Sequence, residues 1–182
     1  MASVRRVYWD ANCWIGLIRK EGDKLPGCMY IINEAEAGRV EILTSSFTLA
    51  EVYKVKGGAG IADTSDSAFE KYLELGHILR VQLDDAVGTE ARRLLRRHKE
   101  LKKPPDAIHL ATALLNNVEE LHTFDDKNLL KLDGVVPRHK APGYMTICRP
   151  VAPPPDPKQE LPGIFEPTEQ DEERDEAADP EG

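Results

Sequence analysis

Short apolar, β-prone runs alternate with helical patterns along the first 150 residues of the chain. The first run, 4–9, precedes a segment in which Ala11, Trp14, Ile15 and Ile18 recur at the spacing of one helix face. Further strands are predicted at 40–43, 78–83, 120–124 and 144–148, and further helices at 29–37, 47–56, 67–75, 84–99 and 106–116. This alternation is typical of βαβ units, so we predict an α/β fold with a parallel sheet.

The C-terminal segment has a different composition from the rest of the chain. Residues 151–182 are rich in proline and acidic residues and poor in apolar ones, which is typical of a disordered tail. They carry 11 acidic and 2 basic residues, so residues 1–150 keep 21 acidic and 22 basic residues despite the overall charge of -8. We therefore predict one domain at 1–150, close to neutral, and a disordered acidic tail at 151–182.

The cysteines and the N-terminus indicate the compartment. Cys13, Cys28 and Cys148 are an odd number without a CxxC pair, which favours neither a disulfide framework nor a zinc site. The apolar run after the polar residues 1–6 is too short for a signal peptide or a membrane span. We expect a cytoplasmic protein without a membrane anchor.

Two aspartates follow predicted strands. Asp10 ends the first strand and Asp125 the fourth, so in a parallel sheet both emerge at the same carboxyl edge, where sites of open α/β sheets form. The alternative for each is a plain helix cap.

Two more acidic residues lie on predicted helices. Glu51 shares a helix face with Phe47 and Val55, and a carboxylate on an inner stripe is costly to desolvate unless a cation or good hydrogen-bond donors receive it. The alternative to a metal ion is an ion pair with a lysine or arginine. Asp106 begins an apolar helix after Pro104 and Pro105, where an N-cap is the simplest role.

Four carboxylates at one edge would repel one another unless a divalent cation neutralised them. Oxygen-only ligation is typical of magnesium or manganese, and such a site can activate water for attack on a phosphate. The sequence therefore favours a magnesium or manganese site of the kind used on phosphate substrates.

Four motifs in order carry a family resemblance. YWDANCWI (8–15), SSFTLAEVY (45–53), PPDAIHLATA (104–113) and LHTFDDKNL (121–129) resemble the PIN domain, as in VapC-type ribonuclease toxins, over about residues 4–148. The resemblance implies an α/β/α sandwich with strand order 3-2-1-4-5. It also implies Asp10, Glu51, Asp106 and Asp125 as catalytic metal ligands with Mg²⁺ or Mn²⁺, and Asn12 and Thr123 as supporting polar groups.

The implied activity is cleavage of single-stranded RNA to 3′-hydroxyl and 5′-phosphate ends. A VapC-type toxin also implies an antitoxin protein, which we expect to insert a basic side chain among the carboxylates. Dimers are usual among similar toxins, although the sequence leaves the oligomeric state open. Two alternatives stay open: a PIN-fold RNA-binding or scaffold protein without turnover, and a DNA-directed nuclease.

Several assignments depend on local context. In the double acid Asp125-Asp126, the T-x-D spacing from Thr123 favours Asp125. His109 is interpreted as a buried core residue rather than a general base. The basic run at 92–103 is either an RNA-binding surface or a solvated helix face, and the aromatic side chains at positions 9, 14, 47 and 124 are interpreted as core.

Overall fold

A computed structural model describes residues 4–53 and 61–153. Five strands form one sheet in the order β3-β2-β1-β4-β5, and every pairing is parallel. This confirms the predicted α/β class and strand order. The strands are β1 (Arg5–Trp9), β2 (Val40–Ser45), β3 (Ile78–Val81), β4 (Glu120–His122) and β5 (Thr146–Cys148).

Helices cover both faces of this sheet. Within the described ranges they are α1 (Ala11–Ile18), α2 (Leu25–Glu36), α3 (Thr48–Glu51), α4 (Asp63–Leu73), α5 (Asp85–Arg97) and α6 (Pro104–Leu115), with a 3₁₀ turn at Leu129–Leu132. Side chains alternate across β1, so that Val7 and Trp9 pack with α1, α2 and α4, whereas Tyr8 packs with α5 and α6. The central strand is therefore buried on both faces, as in other parallel sheets.

Three helices begin earlier than the sequence predicts, and one of them, α4, begins at Asp63 instead of at residue 67. The helix predicted from Met29 begins at Leu25, and the helix predicted from Asp106 begins at Pro104. In both, proline occupies the first helical turn instead of preceding it, because the amide that proline lacks would have no partner there. Asp106 is consequently the third residue of α6, and the predicted N-cap role is wrong.

The third helix is shorter than predicted. A helix was expected at 47–56, but α3 ends at Glu51, and Val52 leaves the helical conformation at φ -83°, ψ 62° with its side chain buried. Residues 54–56 of the predicted helix lie outside the described residues. Glu51 therefore ends a single helical turn instead of lying mid-helix.

The chain after β5 passes close to α2. A Cβ atom on Gly27 would lie 1.9 Å from the carbonyl oxygen of Pro150, so only glycine permits this approach. The predicted tail from residue 154 onward lies outside the described residues. Among the helices that are described, none is long and apolar enough to cross a membrane.

Candidate active site

Asp10 follows β1 directly and is almost fully buried, with 2% of its surface exposed. It caps α1, because its Oδ1 accepts a hydrogen bond from the Cys13 amide at 3.2 Å. Its Oδ2 accepts from the Thr123 hydroxyl at 2.5 Å and from the Asn12 side-chain amide at 3.3 Å. Burial raises the pKa of Asp10, and the charge of His109 and these hydrogen bonds offset part of that rise.

Thr123 connects two of the acidic residues. Its hydroxyl donates to Asp10 and accepts the backbone amide of Asp125 at 3.0 Å. The carboxylate of Asp125 in turn accepts the amides of Lys127 and Asn128 and the Asn128 side chain at 2.8 Å. The T-x-D spacing thus corresponds to a hydrogen-bonded turn that begins where β4 ends.

The neighbouring acid, Asp126, has a different environment. Its side chain is 64% exposed and forms an ion pair with Arg149. Asp125 is partly buried, and its charge acts on Asp106. Asp126 is therefore available to solvent, and an exposed ion pair of this kind contributes little to stability.

Asp106 has the least satisfied carboxylate of the site. Its Oδ2 is buried without a hydrogen-bond partner among the described residues. Burial, together with the charges of Asp125 and Asp10, raises its pKa to about 6 against the opposing charges of His109 and Lys103. A buried oxygen without a partner is costly unless a cation or a donor receives it.

Glu51 is bonded to a histidine. Its Oε2 lies 2.6 Å from His109 Nε2, so the partner is neither the lysine nor the arginine that the sequence left open as an alternative to metal. Burial lowers the pKa of His109, but the hydrogen bond and charge of Glu51 and the charges of Asp10 and Asp106 outweigh it and raise the pKa. The interpretation of His109 as a buried, satisfied residue is confirmed, yet sequence analysis missed its contact with the site. The available signal was its position three residues after Asp106, on the same helix face.

Two adjoining clefts meet at Asn12, Ile15 and Asp106. The first, here the Phe47 cleft, has a volume of ≈ 460 Å³ and is lined by Asp10, Ala11, Asn12, Ile15, Phe47, Ala50, Glu51, Tyr53, Pro105, Asp106 and His109. The second, here the Phe124 cleft, measures ≈ 610 Å³ and is lined by Asn12, Ile15, Arg19, Glu21, Lys24, Lys103, Asp106, Phe124, Asp125, Asp126, Lys127 and Asn128. All four predicted acidic residues and Asn12 therefore line one continuous depression.

The four aromatic residues assigned to the core differ in burial, and Phe124, although only partly buried, packs against the core. Trp9 and Trp14 are fully buried, as predicted for core residues. Phe47 and Phe124 are only partly buried and each lines one of the two clefts, with the Lys24 ammonium 5.3 Å from the ring centroid of Phe124. Each cleft thus offers a ring surface beside the carboxylates.

The residues present fit a divalent metal ion. The depression supplies carboxylate oxygens, and the Asp106 Oδ2 atom lacks a partner in the described part of the chain. Hard cations such as Mg²⁺ and Mn²⁺ prefer such ligands. A cation there would also relieve the repulsion that raises the pKa of Asp106.

A second group of ligand-type side chains lies elsewhere on the sheet. Among the described residues, ligand atoms of Glu120, His122 and Cys148 lie within 4.8 Å of one another. The Trp9 indole N–H donates to His122 Nδ1 at 3.2 Å, which leaves the ring proton on Nε2, where it bonds Glu120 at 2.8 Å. Burial raises the pKa of Cys148 to about 11, so the thiol keeps its proton. The group is a satisfied hydrogen-bond network, since both nitrogen and sulfur would have to lose a proton to bind metal.

Comparisons with known proteins agree with this fold. The family model "PIN domain" matches residues 7–135. The fold is similar to that of VapBC2 from Rickettsia felis, bound to a DNA fragment from their promoter, with a TM-score of 0.54 and 16% identity over 78% of this chain and 96% of that one. It is also similar to Mycobacterium tuberculosis VapC20, a sarcin-ricin loop cleaving toxin, with a TM-score of 0.52 and 15% identity over 65% and 89%. A search of curated proteins found no match.

Proposed function

The chain belongs to the PIN domain family, and on this basis we propose that it is a metal-dependent endoribonuclease that cleaves single-stranded RNA. Asp10, Glu51, Asp106 and Asp125 would hold Mg²⁺ or Mn²⁺, with Asn12 and Thr123 as supporting groups. Residues 1–150 would form the catalytic domain and residues 151–182 a tail.

One observation supports this proposal above all others. The Asp106 carboxylate carries a buried oxygen without a described partner, and the charges of Asp10 and Asp125 act on it. A fold gains nothing from such an arrangement, because desolvation and repulsion both oppose it. Poorly compensated carboxylates of this kind are typical of a site that binds a ligand.

The chain's own residues would fix the geometry of the reaction. Thr123 and Asn12 hold Asp10 Oδ2, and the turn after β4 holds Asp125. When bound, the ion would supply the positive charge that activates water and stabilises the leaving oxygen. Water would add to phosphorus, the bond from phosphorus to the 3′ oxygen would break, and that oxygen would take up a proton. The products would be a 3′-hydroxyl and a 5′-phosphate.

The basic surface of α5 supports an RNA substrate. Arg92, Arg96 and Arg97 are exposed, whereas Arg93 is held by Glu90. A cleft of ≈ 860 Å³ runs past Arg92 and Arg96 to Pro104 and Ile108, next to residues of the Phe47 cleft. An RNA backbone lying along α5 would therefore lead into the carboxylates.

The proposed biological role is that of the toxin of a type II toxin-antitoxin pair in the cytoplasm. The fold similarity to VapC20 and VapBC2 supports this role. An antitoxin would then place a basic side chain at the unsatisfied carboxylates, and a homodimer is the expected form of the toxin.

The test is cleavage of labelled single-stranded RNA and single-stranded DNA of the same sequence by the full chain. Reactions contain Mg²⁺, Mn²⁺ or chelator, and Asp10→Asn is the inactive control. We expect RNA cleavage with either metal, none with chelator, and loss of about 10²-fold or more in Asp10→Asn.

A comparison of Asp125→Ala with Asp126→Ala tests the choice between the two neighbouring acids. We expect the larger loss of activity in Asp125→Ala, and the reverse ranking would overturn that assignment. Preferential cleavage of DNA would favour a DNA-directed nuclease. Binding of RNA without cleavage in any metal would favour a scaffold protein.

A further inference from the structure

The helix that carries Glu51, α3, is too short to be stable by itself. α3 has four residues, far fewer than a helix needs to be stable in water. Its first residue is anchored by a buried contact, in which the hydroxyls of Thr48 and Thr44 lie 3.0 Å apart, and Thr44 donates to the Trp9 carbonyl at 3.0 Å. Val52, directly after Glu51, is 2% exposed and fixes the backbone at the other end, so the Glu51 side chain itself is what remains to be ordered by a contact.

That contact is His109. In the described part of the chain, the bond to His109 Nε2 is the one hydrogen bond that the Glu51 carboxylate makes. The imidazole ring is 3% exposed and lies on α6, which packs in the core. Packing therefore holds the Nε2 donor in place. Glu51 is partly exposed at the rim of the Phe47 cleft, and none of the described residues bonds its second oxygen.

Tyr8 fixes the orientation of this histidine. The Tyr8 hydroxyl lies 2.7 Å from His109 Nδ1 and accepts the Ser45 amide at 3.1 Å. Nδ1 is occupied by this contact whichever of the two atoms carries the shared proton, so the Nε2 proton is directed at Glu51. Hydrogen bonds therefore connect β2, β1, α6 and α3 in one continuous chain.

We propose that His109, oriented by Tyr8, is a positioning residue that holds the Glu51 carboxylate at the metal site. This inference rests on the proposed function. Glutamate loses considerable side-chain freedom when it becomes a ligand, and a buried donor that orders it beforehand removes part of that cost. Hydrogen bonds to ligating carboxylates tune metal affinity in this way.

A matched pair of substitutions separates positioning from simple core filling. In His109→Gln the amide nitrogen lies about where Nε2 was and can still donate to Glu51. In His109→Asn the shorter amide lies near the former Nδ1, where it can contact Tyr8 but not Glu51. Both variants replace the ring by a smaller polar group, so a role in packing predicts similar defects in the two.

The experiment measures Mn²⁺ binding to the full chain by calorimetry, with thermal unfolding of the metal-free protein recorded in parallel. We expect the dissociation constant for Mn²⁺ to rise about 10- to 100-fold in His109→Asn and to stay within about threefold of the parent in His109→Gln. In a Glu51→Gln background, His109→Asn should add little further loss, because the two residues act through one contact.

Equal Mn²⁺ affinity in the parent and in His109→Asn would overturn the inference, and so would equal losses in the Asn and Gln variants. If His109→Asn does not fold, Tyr8→Phe replaces it, since that change removes one hydroxyl and leaves the histidine ring in place. Weaker Mn²⁺ binding by Tyr8→Phe would support the inference, and parental binding would overturn it. A parent chain that neither binds Mn²⁺ nor cleaves RNA would instead refute the proposed function.

Discussion

At the scale of single residues, Asp106 connects the site to the stability of the fold. Its pKa is raised from 3.8 to about 6, first by burial and then by Asp125. The folded state thus binds the proton more tightly than the unfolded chain does. The stability that this proton provides is fully present below pH 4 and is lost as the pH rises through about 6.

We predict that Asp106→Asn stabilises the metal-free protein at pH 8, on the order of 1 to 2 kcal/mol, because it removes a poorly compensated charge. The gain should shrink toward pH 5, where the parent carboxyl is already protonated. Denaturant unfolding in chelator at both pH values measures this difference. Asp126→Asn, in an exposed acid, is the control and should show no such pH dependence. A destabilised Asp106→Asn variant at pH 8 would contradict the prediction.

At the scale of elements, α5 carries the basic surface. Its buried side packs Val87, Ala91 and Leu94 against the core, so Arg92 and Arg96 point away from it and are exposed. Asp84 caps the helix, because its side chain accepts a hydrogen bond from the Val87 amide at 2.9 Å. Arg96 and Arg97, in the last turn, interact favourably with the negative end of the helix dipole. Arg96 therefore has a structural role as well, and only a binding measurement separates this role from RNA recognition.

We predict that the double substitution Arg92→Ala/Arg96→Ala weakens RNA binding. It should also lower the slope of log affinity against log salt by about 0.7 for each phosphate that the protein no longer neutralises. The control is Arg6→Ala/Arg39→Ala, which removes the same charge in β1 and directly before β2, where both arginines are ion-paired. Fluorescence anisotropy with labelled RNA at several salt concentrations measures both. Equally weakened binding in the two double variants would indicate an effect of net charge alone.

At the scale of the whole molecule, negative charge is concentrated in the C-terminal tail, and its effect on RNA binding can be tested. Residues 151–182 carry 11 acidic and 2 basic residues beside a nearly neutral domain with a basic helix. Such a tail either competes with RNA for the basic surface, with Leu161, Ile164 and Phe165 as a short anchor, or stays solvated and aids solubility. The residues concerned lie outside the described part of the chain.

Truncation after Pro150 distinguishes the two roles. Competition predicts tighter RNA binding and faster cleavage by the truncated chain at low salt. The gain should diminish as ionic strength rises, because salt screens contacts between exposed charges. RNA binding and initial cleavage rates at several salt concentrations measure it. Identical behaviour at every concentration would leave the tail as a solvated segment.

The sequence by itself determined the fold class and the approximate position of each strand, because these depend on local patterns. The apolar residues of β1 and α1 are spaced for a buried strand and an amphipathic helix, and the structure contains both. Helix ends were less predictable. Proline both precedes helices and occupies their first turn, so the sequence alone did not decide where α2 and α6 begin.

Only the tertiary structure decided which side chains meet. Glu51 and His109 are 58 residues apart, and Asp10 and Thr123 are 113 apart. No local pattern encodes these contacts, because they depend on how the strands order themselves in the sheet and on how each helix packs across it. The early end of α3 has the same origin. The buried contacts of Thr48, Glu51 and Val52 replace the helical turns that local propensity favours, and tertiary packing outweighs propensity in so short a segment.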